Sequence, residues 1–130
     1  MSSEKDRLLN IEVNLKELAQ NIRDARACLQ YDHKTNSHNF MGFNEKLDEA
    51  ISIWNRLKTD VNVFATEAQK ADFTEKFKAL QKSVYDWEHR RNVTPQGHAD
   101  PKLRSMINVG ALSDVIDIFL NSIVRKLAKY

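Results

Sequence analysis

Apolar residues recur along this chain at alternating steps of three and four, and only a helix places such residues on one face. The first seam reads Leu8, Ile11, Leu15, Leu18, Ile22, Ala25 and Leu29. At 3.6 residues per turn these positions stack into one stripe, which must be buried against a partner. Ser3 followed by Asp6 reads as a capping pair at its start. The seam fails at residues 31–39, Tyr-Asp-His-Lys-Thr-Asn-Ser-His-Asn, which are polar and turn-rich.

A second seam runs through Leu47, Ala50, Trp54, Leu57, Val61, Phe64 and Ala68, with Asn44 as its expected N-cap. The register breaks near Ala71-Asp72, and a third seam restarts at Phe73, Phe77, Leu80, Val84 and Trp87. The fourth holds Leu112, Ile116, Phe119, Ile123 and Leu127. Asp100-Pro101 is expected to supply its N-cap and first helical residue. Gly110 allows a different division, a short leading helix before the main one.

Four such segments with short joins predict an all-α fold, an antiparallel up-and-down four-helix bundle, with or without that short extra helix. With 3 Gly and 2 Pro the chain is poorly supplied for strands and tight turns. Its 130 residues suffice for one domain, 1–130, with its own core. Charged residues make up 29%, and the mean hydropathy of -0.57 fits a folded, water-exposed helical protein rather than disorder. The net charge of +2 excludes a strong basic coat for nucleic acid or membrane, so any phosphate contact has to be local.

The single cysteine, Cys28, has no internal disulfide partner. With an N-terminus that lacks the apolar core of a signal peptide, it points to the cytoplasm. No apolar run reaches the length of a membrane span; Val115 to Leu120 is interrupted by Asp117. Val115, Leu120 and Val124 lie off the fourth seam. Two apolar faces on one helix mean central burial or a dimer surface, and a homodimer is the expectation taken here.

The chemistry concentrates in residues 88–100, Glu-His-Arg-Arg-Asn-Val-Thr-Pro-Gln-Gly-His-Ala-Asp. One more step along the third seam reaches Arg91, an arginine in a core-facing slot at a helix end. Such a charge reaches solvent, pairs with an acid or lines a cleft. A snorkelling arginine favoured by the helix C-terminal dipole is the structural alternative. His98 follows after six residues in a Pro/Gly loop, where a histidine is ordinarily just solvated. Asp100 reads first as a helix cap. The bare spacing is weak: with eight arginines and four histidines, roughly one such match is expected by chance. Arg26 and His33 repeat it, without the asparagine that follows Arg91 and with Arg26 beside its seam.

RNA can be cut without a metal by a group that takes the 2′-hydroxyl proton and a cation that relieves charge on the phosphorane. Histidine and arginine fit those roles. A nearby cation also lowers the histidine pKa and favours the neutral base. Lys102 and Arg104 follow closely and extend a local phosphate track, or form an ordinary solvated face.

Arg91-Asn92 with His98 resembles the arginine–histidine motif of the HEPN superfamily, in which four to six residues separate the two. The His98-Ala99-Asp100 ending resembles its abortive-infection branch. The resemblance in helix order covers most of the chain, and only residues 91–98 are at all specific. It implies a metal-independent endoribonuclease that attacks the scissile phosphate with the adjacent ribose 2′-hydroxyl. Arg91 would hold the phosphate, His98 would act as general base or acid, and Asn92 would orient the site by hydrogen bonding. It further implies RNA as substrate, no cofactor and no metal, a homodimer, and the role of a toxin or phage-defence component held in check by an antitoxin. Pro95 and Gly97 depart from the pattern: they preclude a regular helix inside the motif, so helical geometry does not fix the Arg–His distance.

Other constellations are thinner. His33 and His38 share the first loop, with no cysteine or carboxylate spacing to complete a metal site. Trp54, Phe64, Phe73, Phe77 and Trp87 lie on seams and are expected in the core rather than on a base-stacking platform. No phosphate-binding glycine loop or nucleophile elbow occurs. Two further readings stay open: a non-catalytic interaction bundle with a structural arginine, and a small regulatory or virus-encoded helical dimer unrelated to HEPN.

Overall fold

The four seams become four helices in the computed structural model, which describes residues 2–29, 39–59, 63–90 and 99–130. They are α1 (Ser2–Cys28), α2 (Phe40–Leu57), α3 (Glu67–Arg90) and α4 (Ala99–Leu127). Together they form an all-α antiparallel four-helix bundle, with no strand among the described residues. Helix α1 packs on α2 and α4, and α4 packs on α3. Side chains close the fourth side, where the Trp54 and Phe73 rings lie 4.4 Å apart. Among the described residues no helix is long and apolar enough to cross a membrane.

The up-and-down order can be traced by contacts at the helix ends. The Asn39 N–H donates to the Cys28 carbonyl at 3.1 Å, joining the end of α1 to the start of α2. Glu4 near the start of α1 raises the pKa of the Tyr130 phenol above its ordinary value, so the start of α1 and the end of α4 are neighbours. Helices α2 and α3 meet beside Trp54, where α2 ends and α3 begins.

Every residue of the first seam is buried, from Leu8 to Leu29. The fourth is buried at Leu112, Ile116, Phe119 and Ile123, while Leu127 is partly buried against the core. Phe73, Phe77, Leu80 and Val84 of the third seam are buried too. The Trp87 side chain lies outside the described residues. One core cluster draws on all four helices.

The boundaries differ from the sequence expectations in four places. Helix α1 already includes Ser2, so Ser3 is inside it rather than its cap; Glu4 in the first turn suits the positive helix end. Helix α2 begins at Phe40, not after Asn44, and its N-cap is Asn39, whose side-chain Oδ1 accepts from Gly42 N–H at 2.8 Å. The reason is burial: Phe40 and Phe43 continue the seam backwards from Leu47, and starting early takes both rings out of water.

Helix α2 also stops at Leu57, so it does not run on to Ala68. Val61 lies outside the described residues, Phe64 is buried from an irregular connection, and Ala68 is exposed on α3. A capping box ends the continuity. Gln69 N donates to Thr66 Oγ1 at 3.1 Å, and Thr66 N donates to Gln69 Oε1 at 2.8 Å. Finally, α4 is one helix from Ala99 through Gly110, without a separate leading helix. Asp100 and Pro101 therefore fall within its first turn, where a missing backbone N–H costs nothing.

Candidate functional site

Helices α3 and α4 are packed neighbours, and the end of one and the start of the other flank the motif. Helix α3 closes at Arg90 and α4 opens at Ala99. Arg91, Asn92 and His98 fall between them and lie outside the described residues, as do the side chains of Lys102 and Arg104 on α4. His33 and His38 also lie outside them, in the span between α1 and α2. Among the described residues no group of three or more His, Cys, Asp or Glu is placed to hold a metal ion.

The topology gives one end of the bundle a distinct composition. The end of α1, the start of α2, the end of α3 and the start of α4 share that end. In sequence His33 and His38 fall between α1 and α2, His89 is one residue from the end of α3, and His98 immediately precedes α4. In sequence, all four histidines thus fall in or between the stretches that border the helix ends named above. The opposite end is aromatic. Trp54 stacks with Phe119 at 5.9 Å between ring centroids and meets Phe64 edge-on at 6.1 Å. Phe73 and Phe77 are packed edge-to-face at 5.3 Å beside them. Trp54, Phe64, Phe73 and Phe77 are core, as their seam positions predicted.

At the start of the third seam the structure describes how the bundle accommodates a cation. One step back from Phe73 stands Lys70, only 4% exposed. Its ammonium donates to the Lys58 carbonyl at 3.2 Å, lies 3.8 Å from the Glu67 carboxylate, and sits 5.4 Å from the Phe64 ring centroid. That is a structural use of a seam-end cation: it satisfies a carbonyl left over where α2 ends. The Lys126 ammonium donates to the Val63 carbonyl and ties the same connection to α4. Sequence reasoning missed both lysines. The signal for Lys70 was its place on the seam, found by the step that singled out Arg91.

Cys28 sits where α1 hands over to α2, partly buried under the Asn39 cap. Asn39 Nδ2 lies 3.9 Å from its sulfur. Burial pushes the thiol above its ordinary pKa; Asp24 adds to the rise, Lys46 opposes it, and Glu45 adds a little more. A thiol held neutral is a poor nucleophile, which argues for a packing role.

Of the residues off the fourth seam, Val115 and Leu120 are half-buried against the core, and Val124 is 49% exposed. No family model matches the chain, and neither a curated protein nor a solved structure does.

Proposed function

We propose that this chain is a metal-independent endoribonuclease of the HEPN type, with Arg91 and His98 as its catalytic pair and Asn92 orienting the site. The observation that supports the reading is the packing of the two helices that flank the motif in sequence. Arg91 directly follows the last residue of α3, His98 directly precedes the first of α4, and these two helices are packed neighbours. Packed helix axes lie about 8–10 Å apart. An arginine and a histidine reaching from two such ends can meet on one phosphate group, which bridges them further.

The chemistry then follows. The guanidinium offers planar donors to the non-bridging phosphate oxygens and offsets charge that grows as the 2′-oxygen attacks. His98 takes the 2′-hydroxyl proton, and the departing 5′-oxygen receives a proton in turn. The products are a 2′,3′-cyclic phosphate and a 5′-hydroxyl. Lys102 and Arg104, one turn and more into α4, extend the phosphate track. The biological setting proposed with it is a toxin or phage-defence component acting as a homodimer, restrained by an antitoxin, in the cytoplasm.

The second reading is a non-catalytic interaction bundle with a structural arginine. Lys70 favours it, because there the bundle buries a cation on the third seam against a carbonyl and a ring.

The deciding experiment incubates purified protein with mixed RNA in excess EDTA, beside Arg91→Ala and His98→Ala variants whose helical circular dichroism matches the parent. The expected result is fragments ending in cyclic phosphate, lost by at least a hundredfold in both variants. Absence of fragments, or fragments that persist in both variants, gives the interaction bundle instead. Growth arrest on induction, relieved by the same substitutions, would attach the toxin role.

A further inference from the structure

The bundle has one open side. Three neighbouring helix pairs are in close backbone contact, whereas α2 and α3 are held together chiefly by side chains. A surface cleft of about 190 Å³ lies between them. Its lining alternates on both helices at helical spacing. Ile51, Trp54 and Phe77 supply its apolar floor, Asn55, Thr74 and Gln81 its neutral polar lining, and the exposed Lys58 at the end of α2 and Lys78 on α3 complete it. Trp54 and Phe77 are buried and Ile51 is partly so, which makes the floor apolar and fixed. Thr74, also in the wall, is already committed to Trp54 and to the Lys70 carbonyl.

The charge of the lining is one-sided. The chain as a whole is nearly balanced, with 20 basic and 18 acidic residues, yet two lysines and no carboxylate line this cleft. Glu75 lies 3.8 Å from Lys78 on the exposed face of α3. A pair that exposed competes weakly with a bound anion. The volume falls below the roughly 300–1,000 Å³ of drug-sized sites. It matches a metabolite-sized molecule of about a dozen non-hydrogen atoms.

We propose that the α2–α3 cleft binds a small organic anion with a flat apolar body, of the aromatic carboxylate class. The ring would lie on Ile51 between the Trp54 and Phe77 edges, and the carboxylate would face the ammonium groups of Lys58 and Lys78. An apolar floor supplies burial without charge selection, and the two lysines supply the sign. This site is independent of the proposed nuclease centre, and neither stands or falls with the other.

The test titrates the full chain with 2-naphthoate, followed by calorimetry and by the indole N–H resonance of Trp54 in ¹⁵N-labelled protein. Binding with a shift of that resonance is expected, together with at least tenfold weaker binding in a Lys58→Gln/Lys78→Gln variant. Both lysines are exposed, so the variant should keep its fold, and circular dichroism checks that it does. A Lys5→Gln/Lys16→Gln control has the same net charge and is expected to bind like the parent. The uncharged 2-naphthalenemethanol is expected to bind at least tenfold more weakly. Silence of Trp54 at millimolar naphthoate overturns the proposal, and so does equal binding of the alcohol or equal loss in the control.

Discussion

The Trp54 indole N–H donates to the Thr74 hydroxyl at 3.0 Å, and the hydroxyl donates onward to the Lys70 carbonyl at 2.9 Å. The first of these bonds crosses the side of the bundle that α2 and α3 close by side chains rather than by close backbone contact. Trp54 is 2% exposed, so its N–H has no water to turn to. Thr74→Val keeps the shape and removes the acceptor. It should cost about 1–3 kcal/mol, the penalty of an orphaned buried donor. Thr74→Ser, which restores the oxygen, should recover most of it. Urea unfolding curves for the three proteins check this; a valine variant as stable as the parent would mean that the bond contributes nothing net.

Two helical glycines should respond in opposite ways to the same substitution. At Gly110 on α4 an added methyl meets nothing within 4 Å. Gly110→Ala should therefore gain up to about 1 kcal/mol from helix propensity alone. At Gly42 on α2 the methyl would collide with the Asn39 amide and touch Cys28 Sγ at 3.0 Å. The same propensity gain is there offset by loss of the Asn39 cap, itself worth about 1 kcal/mol. Thermal melts should show Gly110→Ala above the parent and Gly42→Ala level with it or below.

Most of the fold could be read from the sequence because burial imposes a period, and the period survives in the order of residues. The seam from Leu8 to Leu29 maps onto buried positions without exception. The errors gathered at helix ends, where the period says least. Phe64 kept a seam spacing by coincidence while being buried from a connection, and it carried the second segment too far. Thr66 and Gln69 hold the correcting signal, a capping pair three residues apart, but it contains neither glycine nor proline and looks like ordinary surface sequence. The burial of Lys70 depends on a carbonyl twelve residues earlier, which no local pattern encodes. The candidate site was legible only as a motif; Arg91, Asn92 and His98 lie outside the described residues, and their chemistry rests on sequence and on the packing of α3 against α4.

The Thr66–Gln69 pair makes its own prediction. Thr66→Ala removes the acceptor for Gln69 N and should destabilise the bundle by about 1 kcal/mol. Gln69→Ala removes the return bond to Thr66 N and should cost less, since that N–H can turn to water. If the pair acts as a unit, the double variant should lose less than the two single losses combined. A double-mutant cycle by chemical denaturation measures that coupling, and strict additivity would show two independent caps.

Cys28 gives the chain a defined response to alkaline pH. Burial, then the charges of Asp24 and Glu45, raise the thiol above its ordinary pKa in the folded state. The neutral thiol is therefore favoured by folding. Its stabilising contribution is complete below the unfolded pKa and is lost as pH rises through the folded one. Two outcomes follow. The iodoacetamide alkylation rate of the native protein should rise with pH along a curve displaced to higher pH than that of the protein in urea. Cys28→Ser should flatten part of the parent's loss of stability on the alkaline side, measured by melts across that range. Coincident alkylation curves for native and unfolded protein would show that the thiolate is not disfavoured in the fold, and would reopen Cys28 as a reactive residue.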